Sequence, residues 1–195
     1  MTDYASLWLP IVGTGVLVFF AGALAWMVLP HHKKDWTEMP GEDRVLEAMR
    51  ASGLKKGQYM FPFVGSGKES QSEAAKAKMR TGPMGIMIVW EGEPKMGPAM
   101  GMTLVYNVVV AALVAYVASL ALAPGAGFVD VAKVVGVTAL LANCAATIPF
   151  AIWFRKSPRS VAADLFDGVL YTAIAVVMFG LLWPGGPSIP TPVGG

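Results

Sequence analysis

The sequence predicts an all-α membrane protein: four transmembrane helices with a small cytoplasmic α-β-α-β insertion between helices 1 and 2. Three observations predict it. Of the 195 residues, 55% are hydrophobic and only 14% are charged, where soluble proteins average about 25% charged. The charges fall in blocks and leave apolar stretches long enough to cross a bilayer. Those stretches are continuous rather than alternating, so they satisfy their backbone as helices and not as a barrel. The same composition excludes a disordered chain, a collagen-like repeat and, with one cysteine, a disulfide scaffold. A net charge of +2 is too weak to point to nucleic acid.

The first span covers residues 7–29, which carry no charge. At the helical rise these residues reach about 34 Å, against a hydrocarbon core of about 30 Å. Ala23-Leu24-Ala25 matches a signal-peptidase pattern, but Asp3 precedes the apolar run and Lys33 and Lys34 follow it. That charge order reads as an uncleaved anchor with its N-terminus outside. The second span is placed at about Met100–Leu122 and is ended by Ala123-Pro124-Gly125-Ala126-Gly127. The third runs from about Val131 to Trp153 and the fourth from about Val161 to Trp183, with Ser157 and Pro158 as N-cap and first helical residue. The chain thus divides into 1–30, 31–98, 99–183 and a Pro/Gly tail at 184–195 that is predicted to be disordered.

Orientation follows from the basic residues. Fourteen Lys and Arg lie in the insertion and the 154–160 loop, and one, Lys133, lies on the other side, three residues from Asp130 and placed to pair with it. This bias puts the insertion and the loop in the cytoplasm of a bacterial inner membrane, with both termini outside. Trp8 and Trp183 are expected at the outer interface, Trp26 and Trp153 at the inner one. Lys33, Lys34, Arg155, Lys156 and Arg159 are the residues expected to meet anionic lipid head groups.

The insertion reads as a helix at 40–50 with Gly53 as its stop, a strand at 58–63, a polar helix at 70–79 and a strand at 84–90. Two strands and two short helices bury too little to stand alone. Phe61, Phe63, Ile86, Ile88 and Trp90 are therefore expected to pack on the helices or the inner leaflet.

Few residues offer chemistry. His31 and His32 are the only histidines; adjacent helical residues point about 100° apart, and no third His or thiolate is near in sequence. They are read as an interfacial pair facing head groups, with no metal and no cofactor. Val64-Gly65-Ser66-Gly67-Lys68 sits between a strand and a helix, but Pro62 and Glu69 occupy the positions where a phosphate loop needs Gly and Ser or Thr, so it is a turn. Met79, Met84, Met87, Met96, Met100 and Met102 lack a stronger ligand for copper and are read as gap-filling side chains. Asp164 is explained by the helix N-terminus. Asp167, one turn deeper, is either paired with Arg155 or Arg159 or is an intramembrane functional acid. With Asn107 and Asn143 it forms the one candidate intramembrane polar site. Ala111, Ala115, Ala118, Gly136 and Ala139 allow close helix approach. Cys144 has no basic partner within reach on its own span, and no pair of broken helices suggests a transporter.

The segments Leu9-Pro10-Ile11 and Met27-Val28-Leu29-Pro30-His31-His32-Lys33-Lys34-Asp35 resemble the start of a bacterial family of four-span membrane proteins. Pro40-Gly41-Glu42-Asp43, Gln58-Tyr59-Met60-Phe61-Pro62, Ile152-Trp153-Phe154 and Phe166-Asp167-Gly168-Val169-Leu170-Tyr171 extend the resemblance along the chain. It implies the four-span architecture and carries no activity or catalytic residue. The function expected from the sequence is a non-enzymatic accessory subunit of a larger membrane complex, respiratory or photosynthetic in kind, in contact with other integral membrane subunits. The alternative is a small-solute or proton transporter working through Asp167 and the two asparagines.

Overall fold

The computed structural model describes residues 1–185; all but the first two residues of the predicted tail lie outside them. Four helical segments are long and apolar enough to cross a membrane: Tyr4–Met27, Met96–Ala121, Phe128–Phe154 and Pro158–Leu181. The first opens with a 3-10 turn at Tyr4–Leu7, capped by Asp3, and continues as α1, Trp8–Met27. It stops short of Pro30, which holds Leu29 extended and starts a separate 3-10 turn at Pro30–His32. The insertion contains α2 (Glu42–Ala51), β1 (Gly57–Phe61), α3 (Glu73–Thr81) and β2 (Gly85–Val89), in the order the sequence predicts. The remaining helices are α4 (Met96–Ala121), α5 (Phe128–Cys144), α6 (Thr147–Phe154) and α7 (Pro158–Leu181). Ser157 caps α7 by accepting from the Ser160 N–H, with Pro158 at the first helical position, as predicted.

The third apolar segment is interrupted where the sequence predicts one continuous span. Residues 145 and 146 form a turn between α5 and α6. Pro149 has no N–H for the Ala145 carbonyl and crowds it, which breaks the hydrogen-bond ladder at this point.

The chain divides into two compact units, Met1–Trp36 with Lys95–Gly195, and Thr37–Pro94. Residues 31–36 therefore group with the long helices, whereas the sequence predicts them in the insertion. In the first unit, α1 packs on α4 and α7, and α5 packs on the same two helices. Two glycines set the closeness of these crossings. A Cβ on Gly15 would sit 2.8 Å from the Val108 Cα, and one on Gly168 would overlap Cys144 Sγ. The apolar core lies toward one end of this bundle, where Leu7, Ile11, Ala115, Ala118, Val131, Val135, Phe179 and Trp183 are buried together. Chain connections close that end: Thr2 donates to the Ser119 and Leu122 carbonyls, and the Gly125 N–H to Pro184. Trp183, expected at a lipid interface, is instead buried, with its indole N–H on the Ala123 carbonyl at 3.0 Å.

In the second unit, β1 and β2 pair antiparallel from Gly57↔Val89 to Phe61↔Gly85. Ala75 is the only buried residue of 37–94. Met60, Ile86 and Ile88 share one face of the hairpin and are exposed, as are Phe63, Met84 and Trp90 beside it. The Gly-rich segment after β1 is a turn, with Gly65 and Gly67 both at positive φ.

Candidate functional site

At the end of the bundle where the chain leaves α1 and begins α7, the structure gathers ionisable side chains from sequence positions more than a hundred residues apart. Pro30 turns the backbone so that both histidines project toward α7. His31 Nε2 lies 2.9 Å from Asp167 Oδ1, and His32 Nε2 lies 3.0 Å from Asp167 Oδ2. The other ring nitrogen of His32, Nδ1, is 2.6 Å from Asp35 Oδ2. Asp35 Oδ1 accepts from the Ser160 hydroxyl at 2.8 Å, and Ser157 donates in turn to Ser160. The Tyr171 hydroxyl lies 3.5 Å from the Asp167 oxygen that faces His32.

The imidazoles are held as firmly as the carboxylates. The indole of Trp26 stacks on His32, ring centroids 4.0 Å apart and planes 9° from parallel. Phe166 meets His31 edge-on, and Arg159 donates to the His31 carbonyl. His32 and Asp167 are only 5% and 4% exposed, so these charges are satisfied by one another and not by water.

Both ring nitrogens of His32 face carboxylate oxygens, and only the doubly protonated ring donates to both. Burial opposes that charge most strongly. The hydrogen bonds to Asp35 and Asp167, with their negative charges, outweigh it and raise the His32 pKa above the ordinary histidine value. Asp35 moves the other way: the hydrogen bond from His32, then that from Ser160, hold it below the usual carboxylate value despite burial.

Several expectations change. His31 and His32 are not a pair turned to lipid head groups: His32 is buried and His31 half-buried, both on Asp167. Asp167 pairs with neither Arg155 nor Arg159. Lys156 is tied to Asp164 across the start of α7, which removes it from the free basic residues and gives Asp164 a partner beyond the helix terminus. Lys33, Lys34, Arg155 and Arg159 remain exposed. The pair Lys133–Asp130 forms at 3.1 Å as predicted. The three residues of the proposed intramembrane polar site are not brought together. Asn143 donates to the Ala139 carbonyl of its own helix, and Asn107 lines a cleft of about 380 Å³ between α1 and α4 with Trp26, Met100 and Tyr171. Asp35, Ser160, Trp26 and Tyr171 are the site residues that sequence reasoning missed. Only the three-residue spacing of His32 and Asp35 was a visible signal; the others depend on where α7 lies.

Three donors, His31, His32 and Asp167, have ligand atoms within 4.8 Å of one another. The spacing argument against a metal, that no third donor lies near in sequence, fails here because Asp167 arrives from the far end of the chain. No protein-family model, curated protein or solved structure matches this chain. The class is therefore defined by the fold alone: four helices of membrane-spanning length with a small two-stranded insertion.

Proposed function

We propose that this chain is a non-enzymatic accessory subunit of a larger complex in the bacterial cytoplasmic membrane. In this reading it crosses the bilayer four times, keeps both termini outside, and holds the insertion and the 154–160 loop against anionic lipid on the inside. The 14-to-1 partition of Lys and Arg supports that orientation. The observation that carries the subunit reading is the uncovered apolar face of Met60, Ile86 and Ile88, bordered by Phe63, Met84 and Trp90. Apolar exposure on spanning helices is covered by lipid and says nothing about partners. On a water-side insertion it marks a surface for a protein or for the membrane interface, and we take the protein because the basic residues, not this face, account for the lipid contact. An insertion that buries little more than Ala75 also gains its order from what it docks on. The His–Asp network then serves as the clamp that fixes residues 30–36, the root of the insertion, to α7.

The transporter alternative has less support, because Asn143 is satisfied within its own helix and no hydrogen bond joins Asn107 to Asp167.

Extraction in mild detergent followed by native mass measurement tests the proposal. The wild type is expected in a hetero-oligomer that the double variant Ile88→Ser, Trp90→Ser fails to join. A homogeneous monomer that moves solute in liposomes overturns it. Orientation is checked in a Cys144→Ser background: Ala5→Cys should react with an impermeant maleimide in intact cells, and Ser72→Cys only after the membrane is opened.

A further inference from the structure

We propose that His31 Nε2, His32 Nε2 and the Asp167 carboxylate bind a divalent first-row transition-metal ion of the zinc or ferrous-iron class. The donor atoms converge within 4.8 Å, and each imidazole nitrogen already stands 2.9 or 3.0 Å from an Asp167 oxygen. Ligands about 2.1 Å from one ion lie about 3–3.5 Å from each other. The two His–Asp separations need only a few tenths of an ångström of opening, and the two imidazole nitrogens, within 4.8 Å of each other, reach the same spacing by side-chain rotation.

What separates this cluster from a simple ion pair is the shell behind it. Asp35 holds the Nδ1–H of His32 at 2.6 Å, which leaves Nε2 as the ligating nitrogen. A carboxylate behind a ligating imidazole fixes its tautomer and raises its basicity, the arrangement found around protein-bound zinc. Ser160 fixes Asp35, Ser157 fixes Ser160, and Trp26 fixes the plane of the ring. The same contacts satisfy the buried charges of an ion-free clamp, and the titration below separates the two.

The donor set selects the ion. Two imidazoles and a carboxylate suit zinc and ferrous iron; the absence of sulfur disfavours cuprous ion, and two nitrogens disfavour magnesium and calcium. As the ion enters, the Nε2 proton of His32, and any proton on His31 Nε2, pass to solvent, and Asp167 remains a carboxylate. Three protein ligands leave at least one coordination position for water or another donor. The more exposed flank of the site is at His31, whose side chain is 23% accessible.

The experiment uses the full-length protein in detergent, with its affinity tag removed, stripped by chelator and titrated with Co²⁺ as a spectroscopic stand-in for zinc. Wild type should develop visible ligand-field absorption that saturates at one ion per chain and is discharged by Zn²⁺. Asp167→Asn and His31→Gln should each weaken binding at least about 100-fold, beyond the 10–100-fold expected of an outer residue. Asp35→Asn should weaken it about 10–100-fold and keep the stoichiometry of one. Asp164→Asn, outside the cluster, should bind as the wild type does. Metal-free unfolding curves establish that each variant is folded; if Asp167→Asn is not, His31→Gln and Asp35→Asn decide the question. Absence of a stoichiometric cobalt spectrum, or a spectrum unchanged in His31→Gln, overturns the proposal and leaves an ion-free clamp. Neither result touches the subunit reading, which is scored by complex formation.

Discussion

The two ends of the helical bundle are closed by different physics. At the end holding the N-terminus, Phe179, Leu7, Val131 and Val135 are fully buried against small residues of α4, and backbone groups of the connecting turns pair with one another. Contacts there are short-range and carry no net charge. At the opposite end the contacts that join α1's exit to α7 run through His31, His32, Asp35 and Asp167. A packed apolar end is insensitive to salt and metal ions. A buried charged end is held strongly only while every member has its partner, because each unpaired charge in a low dielectric is costly. One end of this protein is thus built to stay closed, and the other to depend on every charge keeping its partner.

The largest expected effect comes from breaking the charged end. Asp167→Ala removes the acceptor shared by both imidazoles and should cost about 3–5 kcal/mol, the usual penalty for orphaning one member of a buried ion pair. Unfolding followed in detergent without divalent ions measures it; a loss below about 1 kcal/mol would mean that the network does not hold this end. At the apolar end, Phe179→Ala should cost about 3 kcal/mol by leaving a cavity, and the cost should be unchanged by salt or chelator. Combined, the two substitutions should add to within about 0.5 kcal/mol, since distant sites are independent. Strong coupling between them would defeat the view of two separately closed ends.

Smaller effects sharpen the contrast. Gly15→Ala forces a methyl group against the Val108 backbone and should cost about 2 kcal/mol by pushing α1 from α4. Trp183→Phe keeps most of the buried area and loses the indole bond to Ala123, so about 1 kcal/mol is expected. Should Trp183→Phe prove as damaging as Phe179→Ala, the polar closure of the terminal end has been undervalued.

Legibility in the sequence followed range. The order of elements in the insertion, the Ser157–Pro158 start of α7 and the Lys133–Asp130 pair were all readable, because each depends on residues within a few positions. Burial of Trp183 was not, since an interfacial and a buried tryptophan look alike until the 123–127 turn is placed against it. The break after Cys144 was present in the sequence as Pro149, but hydropathy ran straight across it. At the site, His32 and Asp35 stood three apart in plain view, whereas nothing local joined them to Asp167 or Ser160.

By itself the sequence determined the four apolar segments, the insertion between the first two and the asymmetry of basic charge. These are consequences of composition and helical periodicity, which act along the chain and need no partner. Only the tertiary structure decided that the two histidines face inward, that residues 31–36 belong to the bundle, and that Asp167 is their common acceptor. The physical reason is that a buried charge is stable only beside its counter-charge. Here the counter-charges lie about 135 positions away, so it is the packing of α1 against α7 that makes three unremarkable residues into one site.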